Sequence, residues 1–252
     1  MGSLESYTYT PNVGAQKICA GRKQRTKRCV IDDGFNSELV ETAFFDGILE
    51  IPRLETPKEI FVPENLIPFT KRNSSKNFSE TLVFYENDVK FSNILQDAES
   101  YIEDFKRFRG IVSPDFSLYR DMPLFAQMGN VYRNRALGCF FQRHGIYVIP
   151  NVRWGDERSY TTCELPECFA ILGIPKHSIV SIGTYGCIQG ADNTRHFRDG
   201  LIAMLDHLEP EIVLVYGSMP KQIFASVADR ARFIQYPDWI TLKKGGRHYG
   251  NR

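Results

Sequence analysis

Between about residues 81 and 236, short aliphatic runs alternate with longer segments whose apolar residues recur at helical spacing. The aliphatic runs predict strands at residues 81–85, 110–112, 146–149, 178–182 and 212–215. Near-continuous runs of this kind are typical of strands that are covered on both faces, as in parallel sheets. The pattern therefore predicts an α/β fold with a mostly parallel sheet of about five strands and flanking helices, either an open sheet or a partial barrel.

The segments between the strands predict helices. Their positions are 94–108, 122–143, 168–172, 196–208 and 221–232. The central one has the clearest ends, with Asp121 as its N-cap and Pro123 inside the first turn, where a missing N–H costs little. Arg143, followed by His144 and Gly145, marks its carboxyl end, because cations and glycine favour the last turn of a helix.

Proline content and charge divide the chain into three parts. Residues 1–80 predict an irregular, basic and proline-rich extension that packs on the core, residues 81–236 predict the α/β core domain, and residues 237–252 a basic tail. The net charge is +5 over residues 1–30 and +4 over residues 241–252, which leaves −8 for the rest of the chain. Basic ends on an acidic body indicate contact with a polyanion such as nucleic acid, or simply solvated termini.

Composition places the chain among ordinary globular proteins. Of its residues, 42% are hydrophobic and 24% are charged, and no apolar run is long enough to span a bilayer. The N-terminus has no apolar segment of the kind that secretory signals carry. Six irregularly spaced cysteines predict reduced thiols. We therefore expect a cytoplasmic protein with no membrane contact.

Several common catalytic motifs are absent. No Walker-type loop and no GxGxxG motif follow the first predicted strand, which disfavours a standard P-loop or dinucleotide fold. No HExxH pair is present, and Cys163, Cys168 and Cys187 lack a recognised zinc spacing. Neither Ser117 nor Ser218 lies in a nucleophile-elbow sequence, so a serine hydrolase is disfavoured.

Polar side chains follow each predicted strand. Right-handed crossovers place the carboxyl ends of parallel strands on one edge, so residues just past those ends should converge. The candidate catalytic residues are Asp115, Arg120, Asp121, Asp156 and Glu157. The candidate substrate-binding residues found in this way, or on the central helix, are Ser117, Arg133, Asn134, Arg135, Asn151, Arg153, Tyr216, Gly217 and Ser218.

Carboxylates with arginines between them support two interpretations. They could hold a divalent cation, Mg²⁺ or Mn²⁺, with a phosphate bound beside it, because hard cations take carboxylate oxygens and guanidinium groups bind phosphate. They could equally form a network of structural ion pairs. The amides of Gln127, Asn130 and Asn134 share one helix face, and they could likewise read a base edge or tie the helix to a loop.

The central motifs closely resemble a family of uncharacterised proteins that is catalogued only as a domain of unknown function. They are SPDFSLYRDMP at 113–123, YRNRALG at 132–138, GIYVIPNVRWGDERSY at 145–160, GIPKHSIVSIGTYGC at 173–187 and EIVLVYGS at 211–218. Members of this family occur in bacteriophages, plasmids and integrative elements. The resemblance covers roughly residues 60–235 and implies no established activity. Its motifs add Tyr119 and Trp154 to the candidate substrate-binding residues.

Three functions are compatible with these observations. In the first, a phage-type protein binds or processes nucleic acid through the acidic and arginine-rich edge, with the basic termini adding sequence-independent attraction. In the second, the same edge is the pocket of a nucleotide or sugar-phosphate enzyme or sequestering protein. In the third, the chain is a non-enzymatic factor that binds another protein.

Overall fold

A small hairpin and seven parallel strands make up the β structure of the described chain. The computed structural model describes residues 36–248, and the side chains of residues 36–243. The strands are β1 (Phe44–Asp46), β2 (Ile51–Arg53), β3 (Leu66–Pro68), β4 (Thr81–Val83), β5 (Gly110–Val112), β6 (Val148–Ile149), β7 (Ile179–Gly183), β8 (Ile212–Tyr216) and β9 (Arg232–Tyr236). β1 and β2 pair antiparallel, whereas β3 to β6 and β7 to β9 form two parallel sheets in chain order.

The two parallel sheets continue into each other just after β6. A parallel bridge joins Asn151 to Ser181 of β7. The Val152 N–H donates to the Ser181 carbonyl at 2.9 Å, and the Ser181 N–H donates to the Pro150 carbonyl at 2.8 Å. All seven strands therefore share one direction, and their carboxyl ends lie along one edge.

The seven strands curve around a common apolar interior. Inward-facing side chains from every one of them belong to a single buried cluster, which includes Leu66, Val83, Val112, Ile149, Ile179, Leu214 and Tyr236. The hydroxyl of Tyr236, on β9, donates to the carbonyl of Pro63, which lies just before β3. No backbone pairing between β3 and β9 closes the ring within residues 36–248. The expected α/β fold is thus confirmed, and its sheet forms a partial barrel.

Helices cover the outer face of the barrel. They are α1 (Ile102–Lys106), α2 (Leu124–Arg143), α3 (Glu157–Tyr160), α4 (Ala191–Leu208), α5 (Lys221–Phe224) and α6 (Trp239–His248). Short 3₁₀ turns lie at Ser37–Val40, Phe69–Ser74, Asp88–Lys90, Ser92–Leu95, Glu99–Tyr101 and Ala225–Val227. Leu82 and Ile111 pack outward with Phe141 of α2, whereas Val180 packs with Leu201 of α4. Because strand side chains alternate, the inner and outer apolar layers use alternate residues of the same strands.

Two strands of the barrel were not among the five predicted. β3 lies in the segment assigned by sequence to the N-terminal extension, and it pairs with β4. β9 follows what was predicted as a single helix over 221–232, of which only α5 and one 3₁₀ turn form. The reason is tertiary: β9 is an edge strand of which only Tyr236 is buried, so its sequence carries little apolar signal.

The predicted helix over 94–108 is broken into 3₁₀ turns and the short α1. The Ser100 hydroxyl donates to the Asp97 carbonyl at 2.9 Å, and the Ser100 N–H donates to the Asp97 carboxylate at 3.3 Å. Such local hydrogen bonds compete with those of a continuous helix. The predicted short helix at 168–172 is a series of turns.

The start of the central helix also differs from the prediction. α2 begins at Leu124, with Pro123 rather than Asp121 at the N-cap position and without a side-chain cap. Proline disfavours the helical conformation in the residue before it, so the chain cannot enter the helix at Met122. Asp121 is instead exposed in the preceding loop.

Residues 36–248 belong to one compact unit. Within residues 36–248, no helix combines the length and the apolar character needed to cross a bilayer. Several sequence predictions fall outside the described residues: the basic run Lys17, Arg22, Lys23, Arg25, Lys27 and Arg28, the cysteines Cys19 and Cys29, and the terminal Arg252.

Candidate functional site

A cavity of about 640 Å³ opens at the carboxyl ends of β4 to β7, and we call it the barrel-mouth cavity. Seven of the predicted site residues line it: Asp115, Ser117, Tyr119, Arg120, Asp121, Arg153 and Trp154. They reach it from the loops after β5 and β6, because parallel strands deliver those loops to one edge. The cavity is within the size range of small-molecule sites.

A buried ion pair forms part of the cavity wall. Asp115, after β5, is only 3% exposed, and Arg153, after β6, donates Nε–H to its Oδ1 at 2.8 Å and Nη2–H to its Oδ2. The Asn151 amide adds a third bond to Oδ1 at 2.6 Å. Burial opposes the charge of Arg153, but the Asp115 carboxylate outweighs it and raises the pKa of Arg153 above its usual value. Both carboxylate oxygens are engaged, so Asp115 serves to fix Arg153.

Tyr85 connects this pair to the interior of the barrel. Its hydroxyl donates to Asn151 Oδ1 at 3.0 Å and lies 2.7 Å from the Ser181 hydroxyl. Its ring stacks on Tyr216 with centroids 5.0 Å apart and planes 19° apart. Burial, and after it the negative charge of Asp115, raise the pKa of Tyr85 well above its usual value. The phenol is therefore neutral and keeps the proton that it donates to Asn151.

Behind the wall, polar side chains tie β5, β6 and α2 together. The Ser113 hydroxyl donates to Asn134 Oδ1 at 2.7 Å and accepts from the Asn151 N–H at 2.8 Å. Asn134 is a predicted binding residue, but it is buried on α2 and does not line the cavity. Its amide secures the helix to the strand ends.

Arg135 of α2 is also a structural residue of this network. It is 1% exposed, and its guanidinium donates to the carbonyls of Asn151, Ala170 and Leu172 at 2.9–3.0 Å and to Asn134 Oδ1 at 2.9 Å. Burial lowers its pKa to about 9, so it stays charged at neutral pH. Arg135 does not line the cavity; it fixes the backbone from which Asn151 and Arg153 project.

The rim of the cavity carries exposed aromatic rings and a cation. Tyr119 is 61% exposed and Tyr185 is 55% exposed. Arg120 lies next to Tyr119, and within the described part of the chain its guanidinium makes no hydrogen bond or ion pair. An uncommitted guanidinium can bind an anion through paired N–H groups, and tyrosine faces can stack on a planar ligand.

Glu157 lies beside a cavity residue that the sequence analysis missed. Its Oε2 is 3.2 Å from Nδ1 of His196, a buried residue on the first part of α4 that lines the cavity. Nη2 of Arg195 lies 2.9 Å from Nε2 of His196. Because arginine can only donate, Nε2 accepts, and the hydrogen-bond network assigns the proton to Nδ1, facing Glu157. The imidazole ring is thus held between Glu157 and Arg195.

Asp156 builds the loop rather than the cavity wall. Its carboxylate caps α3 by accepting from the Arg158 N–H at 3.2 Å, and it pairs with the Arg158 guanidinium at 2.9 Å. Arg158 in turn donates to the carbonyl of Arg120 at 2.7 Å. Asp156 therefore positions the segment that carries Arg120.

The described carboxylates do not gather into a metal-binding cluster. Among residues 36–248, no group of three or more His, Cys, Asp or Glu side chains lies close enough to hold a metal ion. Of the four carboxylates that the sequence placed in one acidic centre, Asp115 is engaged by Arg153, Asp156 caps a helix and Glu157 contacts His196. The described residues therefore supply no preformed set of ligands for Mg²⁺ or Mn²⁺.

Other predicted binding residues lie around this centre. The Ser117 N–H and hydroxyl both donate to Asp88, which fixes the loop after β5. Arg133, half-buried on α2, is 3.4 Å from Asn130 Oδ1. Gly217 has φ of 117°, a conformation suited to glycine, and Ser218 after it is exposed. Of these four candidates, only Ser117 lines the cavity.

Tyr85, Cys187 and His196 are cavity residues to which the sequence analysis gave no role in the site. Cys187 Sγ accepts from Arg153 Nη1 at 2.7 Å, and Tyr85 is the inward-facing residue just past β4. The alternation of Val83 and Tyr85 in the run 81–85 was the available signal for Tyr85. Cys187 directly follows a strand end, but a single cysteine has no spacing to identify it.

Two helix glycines give a matched test of packing at the cavity. A Cβ at Gly200 of α4 would meet the ring of Trp154, whereas a Cβ at Gly129 of α2 would meet nothing within 4 Å. We expect Gly200→Ala to lower the free energy of unfolding by about 1–3 kcal/mol through overpacking. Gly129→Ala should raise it by about 0.5–1 kcal/mol through helix propensity. Urea unfolding followed by circular dichroism measures the free energy of unfolding of both variants. Equal changes in the two variants would contradict the close packing of Gly200 against the Trp154 ring.

Comparison with known proteins identifies the family. The profile of DUF4417, a domain of unknown function, matches residues 43–237. The Gene 1 protein of Mycobacterium phage L5 is 33% identical over 174 residues, which cover 68% of this chain and 72% of the phage protein. The Gene 1 protein of Mycobacterium phage D29 is 31% identical over 173 residues, covering 68% of this chain and 61% of that protein. No solved structure matches the chain. The resemblance seen in the motifs is confirmed: the chain belongs to the DUF4417 family, which has relatives in bacteriophages.

Proposed function

We propose that the protein binds a nucleotide-sized ligand in the barrel-mouth cavity. The observation that carries this proposal is the combination of a cavity of about 640 Å³ with the uncommitted Arg120 guanidinium and the exposed rings of Tyr119 and Tyr185 on its rim. A nucleotide offers the complementary groups, an anionic phosphate and a planar base. Ligand sites of α/β proteins commonly lie at the carboxyl ends of the strands, as this cavity does.

Each group in the cavity has a role in this proposal. Arg120 binds the phosphate, because an uncommitted guanidinium makes charge-assisted hydrogen bonds to anionic oxygens. Arg153, whose charge is balanced by Asp115, fixes the shape of the wall. The imidazole of His196, held between Glu157 and Arg195, gives the wall a fixed polar surface. Asp156 positions the segment that carries Arg120, and Arg135 fixes the backbone from which Arg153 projects.

The charge distribution favours a small ligand over a long polyanion at this surface. Outside the two basic ends of the chain, residues 31–240 carry a net charge of −8. An acidic body repels an extended phosphate backbone, whereas the single uncommitted guanidinium of Arg120 can still bind one phosphate. A nucleotide therefore fits the barrel mouth better than a duplex does.

The first test measures stabilisation by nucleoside mono-, di- and triphosphates of the common bases, each with and without Mg²⁺. A ligand at 100 times its Kd should raise the free energy of unfolding by about 2.7 kcal/mol, because it binds only the folded state. Arg120→Ala should weaken binding about 10- to 100-fold, in line with loss of a hydrogen bond to a charged group. Isothermal titration calorimetry gives the affinities.

Arg198→Ala is the matched control, because this arginine is exposed on α4 and does not line the cavity. The Arg198→Ala variant should bind nucleotide with the same affinity as the unmodified protein. The proposal is wrong if millimolar nucleotide produces no stabilisation, or if Arg120→Ala binds as tightly as Arg198→Ala does.

A second candidate function is binding or processing of single-stranded nucleic acid by the same cavity. The exposure of Tyr119 and Tyr185 favours it, because rim tyrosines can stack on successive bases of a strand. The basic runs at both ends of the sequence would add attraction to the backbone. A labelled single-stranded oligonucleotide then binds with an affinity that falls steeply with salt, whereas a mononucleotide does not compete for it.

The cellular setting belongs to the same proposal. We expect the protein to act in the cytoplasm of the cell that expresses it. The four described cysteines, Cys139, Cys163, Cys168 and Cys187, are free thiols, which suits a reducing compartment.

A further inference from the structure

A second cavity, of about 650 Å³, lies next to the barrel-mouth cavity. The two cavities share four lining residues and therefore adjoin each other there. These residues, which we call the shared line, are Tyr85, Glu86, Asn87 and Tyr185. We call the second one the lysine cavity, because Lys71, Lys90 and Lys243 all line it. Its walls come from the loops after β3, β4, β7 and β9, from the end of β8 and from the first five residues of α6, so it belongs to the same edge of the barrel.

The carboxylates of the lysine cavity are already engaged by the protein. Glu86 accepts from the N–H and hydroxyl of Thr70 at 2.9 and 2.7 Å, and Lys90 lies 3.5 Å from it. Asp238 accepts from the backbone of Ile240 and from the backbone and hydroxyl of Thr241. Burial works against its charge, but these hydrogen bonds outweigh burial and lower the pKa of Asp238. Both carboxylates are therefore partnered within the protein, and that of Asp238 is charged at neutral pH.

Two of the lysines have no such partner. In the described part of the chain, neither Lys71 nor Lys243 makes an ion pair; Lys243 lies 5.5 Å from the centre of the Trp239 ring. The indole Nε1–H of Trp239, which also lines the cavity, is buried and has no acceptor among the described residues. The cavity thus offers two uncommitted cations and a donor beside an aromatic ring. This combination suits an anion attached to a larger ligand.

We propose that the lysine cavity binds a second phosphate group of the ligand whose first part occupies the barrel-mouth cavity. This inference rests on the proposed function and narrows its ligand to a molecule with more than one phosphate. Such a ligand crosses the shared line at Tyr85 and Tyr185, with its first phosphate at Arg120 and its second at Lys71 and Lys243. Two sources have this chemistry, a nucleoside polyphosphate and a dinucleotide.

The test compares AMP, ATP and the 5′-phosphorylated dinucleotide pApA by calorimetry at low salt. We expect ATP or pApA to bind about 10-fold or more tightly than AMP, a gain typical of added charge-assisted contacts. If ATP binds more tightly than AMP, the ligand is a nucleoside polyphosphate. If only pApA binds more tightly than AMP, the ligand is a dinucleotide. The double variant Lys71→Ala, Lys243→Ala should lose this gain and keep the affinity for AMP.

The matched control is the double variant Lys76→Ala, Lys221→Ala, which removes two exposed lysines that line neither cavity. This control variant should still bind ATP or pApA more tightly than AMP by the same factor as the unmodified protein. The inference is overturned, and the proposed function stands, if AMP binds but the larger ligands bind no more tightly. The inference is likewise overturned, and the proposed function stands, if the Lys71→Ala, Lys243→Ala variant still binds ATP or pApA more tightly than AMP. If none of the three ligands binds, the inference falls. The proposed function falls as well only if the nucleotides of the other common bases also fail to stabilise the protein.

Discussion

Replacing Arg135 with alanine should lower the free energy of unfolding by about 3–5 kcal/mol, among the largest effects expected of a single substitution in this chain. The guanidinium donates to three backbone carbonyls and to the Asn134 amide, and the side chain is 1% exposed. Its removal leaves buried acceptors without donors, and each one costs about 1–3 kcal/mol unless water reaches it. Urea unfolding followed by circular dichroism measures the loss.

Arg135→Lys separates the charge from the geometry. An ammonium group keeps the positive charge but cannot reproduce the planar fork that reaches Asn151, Ala170 and Leu172 together. We expect it to recover only part of the stability. Arg198→Ala, at an exposed position, should change the free energy of unfolding by less than about 0.5 kcal/mol. A loss at Arg135 as small as that at Arg198 would show that this arginine does not hold the loops together.

Replacing Asp115 with alanine should also cost about 3–5 kcal/mol and abolish ligand binding in the barrel-mouth cavity. The substitution leaves the Arg153 guanidinium without its carboxylate and the Asn151 amide without its acceptor. A charge left unpaired in a buried site costs more than the pair contributes. Because Arg153 then lacks a fixed position, a ligand meets a disordered wall instead of a preset one.

A double-mutant cycle isolates the pair. We expect Asp115→Ala with Arg153→Met to be less destabilised than the sum of the single variants, by roughly 1–3 kcal/mol, because no unpaired charge remains. Asp121→Ala is the matched control: this aspartate also lines the cavity but is exposed, and its replacement should cost less than about 0.5 kcal/mol. Additive effects of Asp115→Ala and Arg153→Met would refute the coupling.

The two predictions with the largest expected effects concern residues to which the sequence analysis gave different roles, Asp115 as a catalytic candidate and Arg135 as a substrate-binding candidate. Asp115 was expected at a strand end in the site, and it does line the cavity, although its oxygens are occupied by Arg153 and Asn151. Arg135 was expected to contact a substrate, because YRNR on a helix is basic enough to bind phosphate. Helical spacing alone did not reveal that its side chain lies in a shell of backbone carbonyls contributed by residues far along the chain.

His196 and Lys243 show a second limit of the sequence. Neither belongs to a motif with catalytic spacing, and each reaches a cavity only because α4 and α6 pack beside the carboxyl ends of the strands. Tyr85 was assigned to a strand, but an aliphatic run does not show which of its alternate residues faces the inside of a curved sheet. Curvature depends on all the strands together, including β3 and β9, whose short sequences gave no strand prediction.

The sequence by itself determined the α/β class, the parallel direction of the strands, the family, and the edge at which polar loops gather. These follow from local patterns, since aliphatic runs, helical periods and proline stops act over a few residues. Only the tertiary structure decided that the sheet curves into a partial barrel, that Asp115 and Arg153 form one buried pair, and that the carboxylates do not gather into a metal-binding cluster. Partners in such contacts come from distant segments, and whether a charge meets a counter-ion, a carbonyl or solvent is set by how those segments pack.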